Sequence, residues 1–146
     1  MQYEIKGDSM PVVVCTLQNG ESVKTEKGAM SWMSPNMEMQ TNAGGGIGKA
    51  FSRIFTGESM FQNIYTARGG TGLIAFASSF PGTILAIPIS ASRSIVAQKH
   101  AFLAMESGVE MKLFFQKRFG SGLFGGEGFI MQQFLGNGIV FLEIDG

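Results

Sequence analysis

Gly69-Gly-Thr-Gly-Leu-Ile-Ala-Phe-Ala-Ser-Ser-Phe-Pro-Gly-Thr-Ile-Leu-Ala-Ile-Pro-Ile-Ser-Ala-Ser92 carries no charge at all, and how it is read decides the fold. A membrane-crossing helix needs about 20 apolar residues and must satisfy its own backbone along the way. Pro81, Gly82, Pro88 and the serines around them break any such helix. Leu73-Ile-Ala-Phe76 and Thr83-Ile-Leu-Ala-Ile87 read instead as two buried strands parted by a Phe80-Pro-Gly82 turn. The expectation is a β protein with no transmembrane segment.

The flanking sequence supports strands. Met37-Glu-Met-Gln-Thr41 and Val109-Glu-Met-Lys-Leu113 alternate apolar with polar residues, the mark of a strand with one buried face. Ala67-Arg-Gly-Gly-Thr-Gly72 and Gly136-Asn-Gly138 are expected to be hairpin loops, since Asn-Gly tolerates positive φ. Ala50, Phe51, Ile54 and Phe55 fit one face of a short helix. The predicted class is all-β with at most that one helix.

The chain also repeats itself. Phe55-Thr-Gly-Glu-Ser-Met-Phe61 is echoed by Phe124-Gly-Gly-Glu-Gly-Phe-Ile130, with the Gly-Glu pairs offset by 69. Lys27 to Met39 lies over Lys99 to Met111 at an offset of 72, with five of thirteen residues identical, and Gly72-Leu-Ile-Ala-Phe76 resembles Gly138-Ile-Val-Phe-Leu142 at 66. Each drop of three falls in a Gly-rich stretch, where loops accept length changes. Two β units are expected, residues 1–77 and 78–146, and a period near 70 is too long for common solenoid repeats. Copied into both halves, Gly57-Glu58 and Gly126-Glu127 read as structural turns: glycine permits the bend, and the carboxylate accepts backbone N–H groups. Catalytic carboxylates need unlike environments, and the two copies offer like ones.

Composition narrows the function classes. Charged residues are 15% of the chain, against about 25% in typical domains, while Gly numbers 21, Phe 13 and Met 10. Eleven basic residues balance eleven acidic ones, so no net field attracts nucleic acid. Cys15 is the sole cysteine and His100 the sole histidine. They allow no intrachain disulfide and no Cys/His zinc cluster, and a reducing, cytoplasmic setting without cofactor or metal is expected. The amino-terminal residues show no targeting pattern.

Several motifs fail. Ala43-Gly-Gly-Gly-Ile-Gly-Lys-Ala50 imitates a phosphate loop but has Ala where that loop needs its first Gly and its Ser or Thr, so it reads as a connector. His100 faces Gly28 in the other copy and reads as an edge or loop residue rather than an acid/base group. Lys112-Leu-Phe-Phe-Gln-Lys-Arg-Phe119 interleaves basic and aromatic residues, but Phe114 and Phe119 fit a core or an interface better than base stacking. Cys15, after Val12-Val-Val14, reads as a small buried hydrophobe, and Met30, Met33, Met37 and Met39 as core. Trp32 faces Ala104 in the other copy, an asymmetry that fits a pocket or interface on one side.

Met33-Ser-Pro-Asn-Met-Glu-Met39, Gly44-Gly-Gly46, Phe55-Thr-Gly-Glu-Ser-Met-Phe-Gln-Asn-Ile-Tyr-Thr-Ala67, Phe80-Pro-Gly82 and Leu123-Phe-Gly-Gly-Glu-Gly-Phe129 together resemble the mitochondrial biogenesis family named for altered inheritance of mitochondria. The resemblance implies tandem units with the fold of the tryptophan RNA-binding attenuator protein, a compact double-stranded β-helix or sandwich, three per chain in most members. Two are present here, which implies a third that is missing or cut away. It carries no catalytic residue across. The expected role is a non-catalytic β scaffold or binding module acting through copies of itself or a protein partner. Small-molecule binding in an apolar pocket between units stands as the alternative, and an enzyme using Glu58 and Glu127 as a lesser one. If a third unit covered the carboxyl-terminal strands, Phe134, Ile139 and Phe141 would be exposed in its absence.

Overall fold

The structure is a computed structural model, and it describes residues 1–26, 28–42, 62–116 and 129–145. The strands in these residues are β1 (Gln2–Lys6), β2 (Val12–Leu17), β3 (Ser22–Glu26), β4 (Met30–Met33), β5 (Met37–Asn42), β6 (Gln62–Ala67), β7 (Gly72–Ala77), β8 (Gly82–Ile89), β9 (Ile95–Gln98), β10 (Phe102–Glu106), β11 (Val109–Gln116), β12 (Phe129–Gly136) and β13 (Gly138–Asp145). The one helical element among the described residues is a 3-10 turn at Lys99–Ala101, so the fold is nearly all β. The expected helical face at Ala50–Phe55 lies outside the described residues. Among the described residues no helix is long and apolar enough to cross a membrane. Gly69–Ser92 instead supplies β7 and β8, which do not pair with each other.

The strands form sheets in the orders β1-β2-β7-β4, β5-β6-β3-β10-β13-β8 and β11-β12-β9. Most strands that follow one another in the chain lie in different sheets. The two expected hairpins are therefore corrected: the links at Arg68–Thr71 and at Asn137 each carry the chain from one sheet to another. β6 pairs with β3 and β5 while β7 pairs with β2 and β4, and β12 pairs with β11 and β9 while β13 pairs with β10 and β8. The physical reason is burial. β7 and β13 are nearly continuous apolar runs, and a strand of that kind needs a neighbour on each edge and cover on each face; a hairpin would give it one neighbour only. Asn36 steadies the first crossing by donating its side-chain amide to the carbonyls of Arg68, Gly70 and Thr71. At the second, Gly136 has φ +96°, and a Cβ there would run into the carbonyl oxygen of Gly108.

Two apolar clusters fill the spaces between sheets. The first joins Val13, Cys15 and Leu17 of β2, Ile74 and Phe76 of β7 and Tyr65 of β6 to Leu103, Ala104 and Phe141. The second joins Phe102 and Met105 of β10 to Val109, Phe134, Val140 and Leu142. β13 thus sends Phe141 to one cluster and its neighbours Val140 and Leu142 to the other, as the two-residue period of a strand requires. β10 breaks that period: Leu103 and Ala104 both face the first cluster, because the register against β13 shifts between Phe102 and Ala104. A bulge of this kind re-aims side chains. Tyr3 and Phe141 meet edge to face with ring centroids 5.2 Å apart, and Phe102 stacks on Phe134 at 5.5 Å.

Several burial expectations change. Phe134 and Phe141 are fully buried and Ile139 half-buried, because they lie between sheets already closed by the two clusters. Of the four methionines assigned to the core, Met37 is buried, Met30 is half-buried, and Met33 and Met39 are exposed. Met33 and Met39 sit on the outermost strands β4 and β5. The alternation expected of Met37–Thr41 thus ends after Met37, whereas Val109–Leu113 keeps it.

Cys15 is buried, and burial, reinforced by the Glu106 charge, pushes its thiol from the ordinary value near 9 up to about 12. Thiolate is the reactive form. Alkylation at pH 8 is therefore expected to be negligible in the folded protein and complete in urea, which a mass-spectrometric time course reads directly. The raised value means the fold holds this proton more tightly than the unfolded chain. That share of stability is complete below pH 9 and is lost as pH rises toward 12.

Candidate functional site

β3 and β10 form the joint of the six-stranded sheet, with Thr25, Lys24 and Val23 opposite Ala104, Met105 and Glu106. The Thr25 hydroxyl donates to the Leu103 carbonyl at 2.5 Å. Lys24 donates to the Val109 carbonyl at 2.7 Å; burial lowers its pKa, and the nearby Glu110 charge only partly offsets that. The amino group of Met1 lies 3.0 Å from Glu21 and 4.0 Å from Glu106, while Glu106 also accepts the Ile139 N–H at 2.8 Å. Glu21 is held below the ordinary carboxylate range, first by the Gln18 N–H and then by the Met1 ammonium.

Beside the joint, the turns after β3 and β9 face each other across a cleft of about 520 Å³. Glu26, Ser31, Ser78, Ser79, Lys99, His100 and Glu143 give it polar walls, and Met30 and Phe102 contribute apolar surface. Glu143 is buried. One of its carboxylate oxygens accepts the Ser79 N–H at 2.8 Å, the Ser79 hydroxyl at 2.7 Å and the Ser78 hydroxyl at 3.4 Å, which pins the link between β7 and β8 onto β13. Gln132, with no exposed surface, donates its amide to Glu26 at 3.2 Å, and its Oε1 has no partner. Among the described residues no hydrogen bond joins His100 to a serine or carboxylate, and no group of three or more His, Cys, Asp or Glu is placed to hold a metal ion. The arrangement suits holding a polar molecule through charge and hydrogen bonds. Among the described residues no serine of the cleft is hydrogen-bonded to a histidine, the pairing that acyl transfer uses.

The residues singled out from sequence fall elsewhere. Gly57, Glu58, Gly126, Glu127 and Phe119 lie outside the described residues, as does the Gly-rich connector 43–50. Phe114 is on β11 opposite Met131. Trp32 is on β4, the outer strand of its sheet, and 47% exposed. It does not line the cleft, and the cleft is polar where an apolar pocket was expected, because Glu26, Lys99, Glu143 and the serines between β7 and β8 line it beside Met30 and Phe102. Sequence reasoning missed Glu26, Ser78, Ser79, Lys99 and Glu143. One signal pointed there: the second matched block begins at Lys99, and Gly28 and Ala29 of the first block line the same cleft.

The chain matches the family described as "Mitochondrial biogenesis AIM24" over residues 3–146. An uncharacterized protein of Streptococcus pyogenes serotype M6 is 32% identical over 125 residues, which are 81% of this chain and 49% of that protein. The crystal structure of a Streptococcus pyogenes protein superposes with a TM-score of 0.78 at 25% identity, covering 99% of this chain and 65% of that one. The chain thus spans about half the length of the curated relative it matches. With nearly its whole length inside the family match and a similar fold in a solved structure, the chain belongs to the mitochondrial biogenesis AIM24 family.

Proposed function

We propose that the protein is a non-catalytic β scaffold that acts by self-association, built from two β units, residues 1–77 and 78–146, joined edge to edge. The observation that carries this reading is the β3·β10 joint, a strand pairing that continues one sheet from residues 1–77 into residues 78–146, backed by an apolar cluster drawn from both segments. Strand order supports the two units, since β2-β7-β4 has its counterpart in β8-β13-β10 and β5-β6-β3 in β11-β12-β9. Register supports them too. Met30, Trp32 and Met33 oppose Phe76, Ala75 and Ile74, just as Phe102, Ala104 and Met105 oppose Leu142, Phe141 and Val140, with a register shift at the same step in both. These positions differ by 72 on one strand and 66 on the other, and Met39 opposite Tyr65 matches Met111 opposite Phe134 at 72 and 69. A strand edge that accepts one unit is suited to accept another. Sedimentation from low to high micromolar concentration is expected to show species above the 15.7 kDa monomer; a monomer throughout that range rejects the scaffold reading.

The polar cleft favours a second reading, binding of a small polar molecule whose cationic group meets Glu26. Saturating ligand raises stability by about 2.7 kcal/mol at a hundredfold excess over Kd. A thermal-shift series of free amino acids should show a rise that Glu26→Gln removes; a flat series counts against it.

A further inference from the structure

We propose that β4 of one copy of this chain pairs antiparallel with β9 of a second copy, in the register of the β3·β10 joint, setting Trp32 opposite Ala97, Met33 opposite Val96 and Ser34 opposite Ile95. The proposal rests on the scaffold reading and names its contact. β4 and β9 are the end strands of their sheets among the described residues. β9 is the counterpart of β3, and β4 the counterpart of β10. Among the described residues there is therefore one completed joint between a strand of each kind, and one strand of each kind is left open.

Burial separates the completed joint from the open edges. At the joint, Ala104 and Met105 are 0% and 1% exposed; their counterparts Trp32 and Met33 are 47% and 36% exposed. Across from Met105, Lys24 is half-buried, while its counterpart on the β3-like strand β9, Val96, is 45% exposed. Apolar side chains thus stand in solvent at the positions that pairing would cover.

The other free edges are guarded. An outer strand avoids pairing with a neighbour by carrying charge or proline. β1 has Glu4 and Lys6, β5 has Glu38, β8 has Pro88, and β11 has Glu110 and Lys112. β4, Met-Ser-Trp-Met, and β9, Ile-Val-Ala-Gln, have neither charge nor proline. The contact is head to tail, since a β4-type edge meets a β9-type edge rather than its own kind, so each copy can engage a neighbour at both ends.

The test exploits that asymmetry. Directly opposed residues in an antiparallel pair have Cβ atoms about 4.5–5.5 Å apart, near enough for a disulfide after a small adjustment. Met33→Cys and Val96→Cys are made as separate full-length variants, and the buried Cys15 leaves a quiet background. Mixed one to one under mild oxidation, they are expected to give a reducible dimer in most of the protein, while each alone gives little. Met33→Cys mixed with Leu85→Cys, an exposed position on β8, is expected to stay uncrosslinked. In parallel, emission from the single tryptophan should shift to the blue as concentration rises, and Trp32→Lys should weaken association at least tenfold. If the wild type associates but the mixture gives no dimer and Trp32→Lys has no effect, the assigned edges are wrong while the scaffold reading stands. If the wild type is monomeric at every concentration, both fall.

Discussion

Replacing Phe141 with alanine is expected to lower folding stability by about 3–5 kcal/mol, the range for deleting a fully buried aromatic ring. Phe141 has no exposed surface and stands on β13, flanked by β10 and β8, so the surrounding sheet cannot easily collapse into the space left behind. It also loses the edge-to-face contact with Tyr3, an arrangement worth about 0.5–1.5 kcal/mol beyond area burial. Urea unfolding followed by circular dichroism reads the change as a lower midpoint at constant slope. Leu85→Ala, on the open edge of the same sheet with 43% exposure, should cost well under half as much. A loss below about 1 kcal/mol for Phe141→Ala would mean that β13 is not clamped between two neighbours as described.

The second expectation sets one substitution at two corresponding positions. Met105→Lys puts an unpaired ammonium into the β3·β10 joint, where the side chain is 1% exposed and already faces Lys24 across the strands. Burying an unpartnered charge, with a like charge opposite, is expected to cost at least about 3 kcal/mol and to leave little folded protein. Met33→Lys, the corresponding change on the free edge of β4, should alter stability by about 0.5 kcal/mol or less, as most surface changes do, while reducing self-association at least tenfold. Thermal melts at a concentration where the wild type is dissociated separate the two effects. Equal costs at the two positions would mean that β4 is already covered within the single chain.

Much of the β content is legible in the amino-acid sequence. The uncharged run 69–92 resolves into β7 and β8 because proline and glycine punctuation is a local signal, and the alternation at Val109–Leu113 is equally local. The burial of Cys15 follows from its place in a valine run. Which strand neighbours which is not legible. Asn-Gly and Gly-Gly mark a reversal of the chain, but they do not say whether the returning strand lies beside the outgoing one or crosses to another sheet. Burial misleads for the same reason. Met33 and Phe141 look alike as apolar residues in strands, and only the completed sheet orders put Met33 on an edge and Phe141 at a centre. The cleft is hidden because its walls are brought together from four distant segments, around Glu26, Ser78, Lys99 and Glu143.

The crossings between sheets also bear on how the chain reaches its fold. A hairpin closes within microseconds of its strands existing, but β2 cannot take its place until β7 has been made, and 54 residues separate Leu17 from Gly72. At about 5–20 residues per second on the ribosome, Val12–Leu17 waits roughly three to ten seconds with its apolar side unpaired. Proteins dominated by such distant pairings fold in milliseconds to seconds rather than microseconds. The newborn chain therefore spends its most vulnerable interval displaying Val-Val-Val-Cys-Thr-Leu to the solvent. The early strand β1, Gln-Tyr-Glu-Ile-Lys, can pair along one edge of that segment and shield it until its second neighbour arrives.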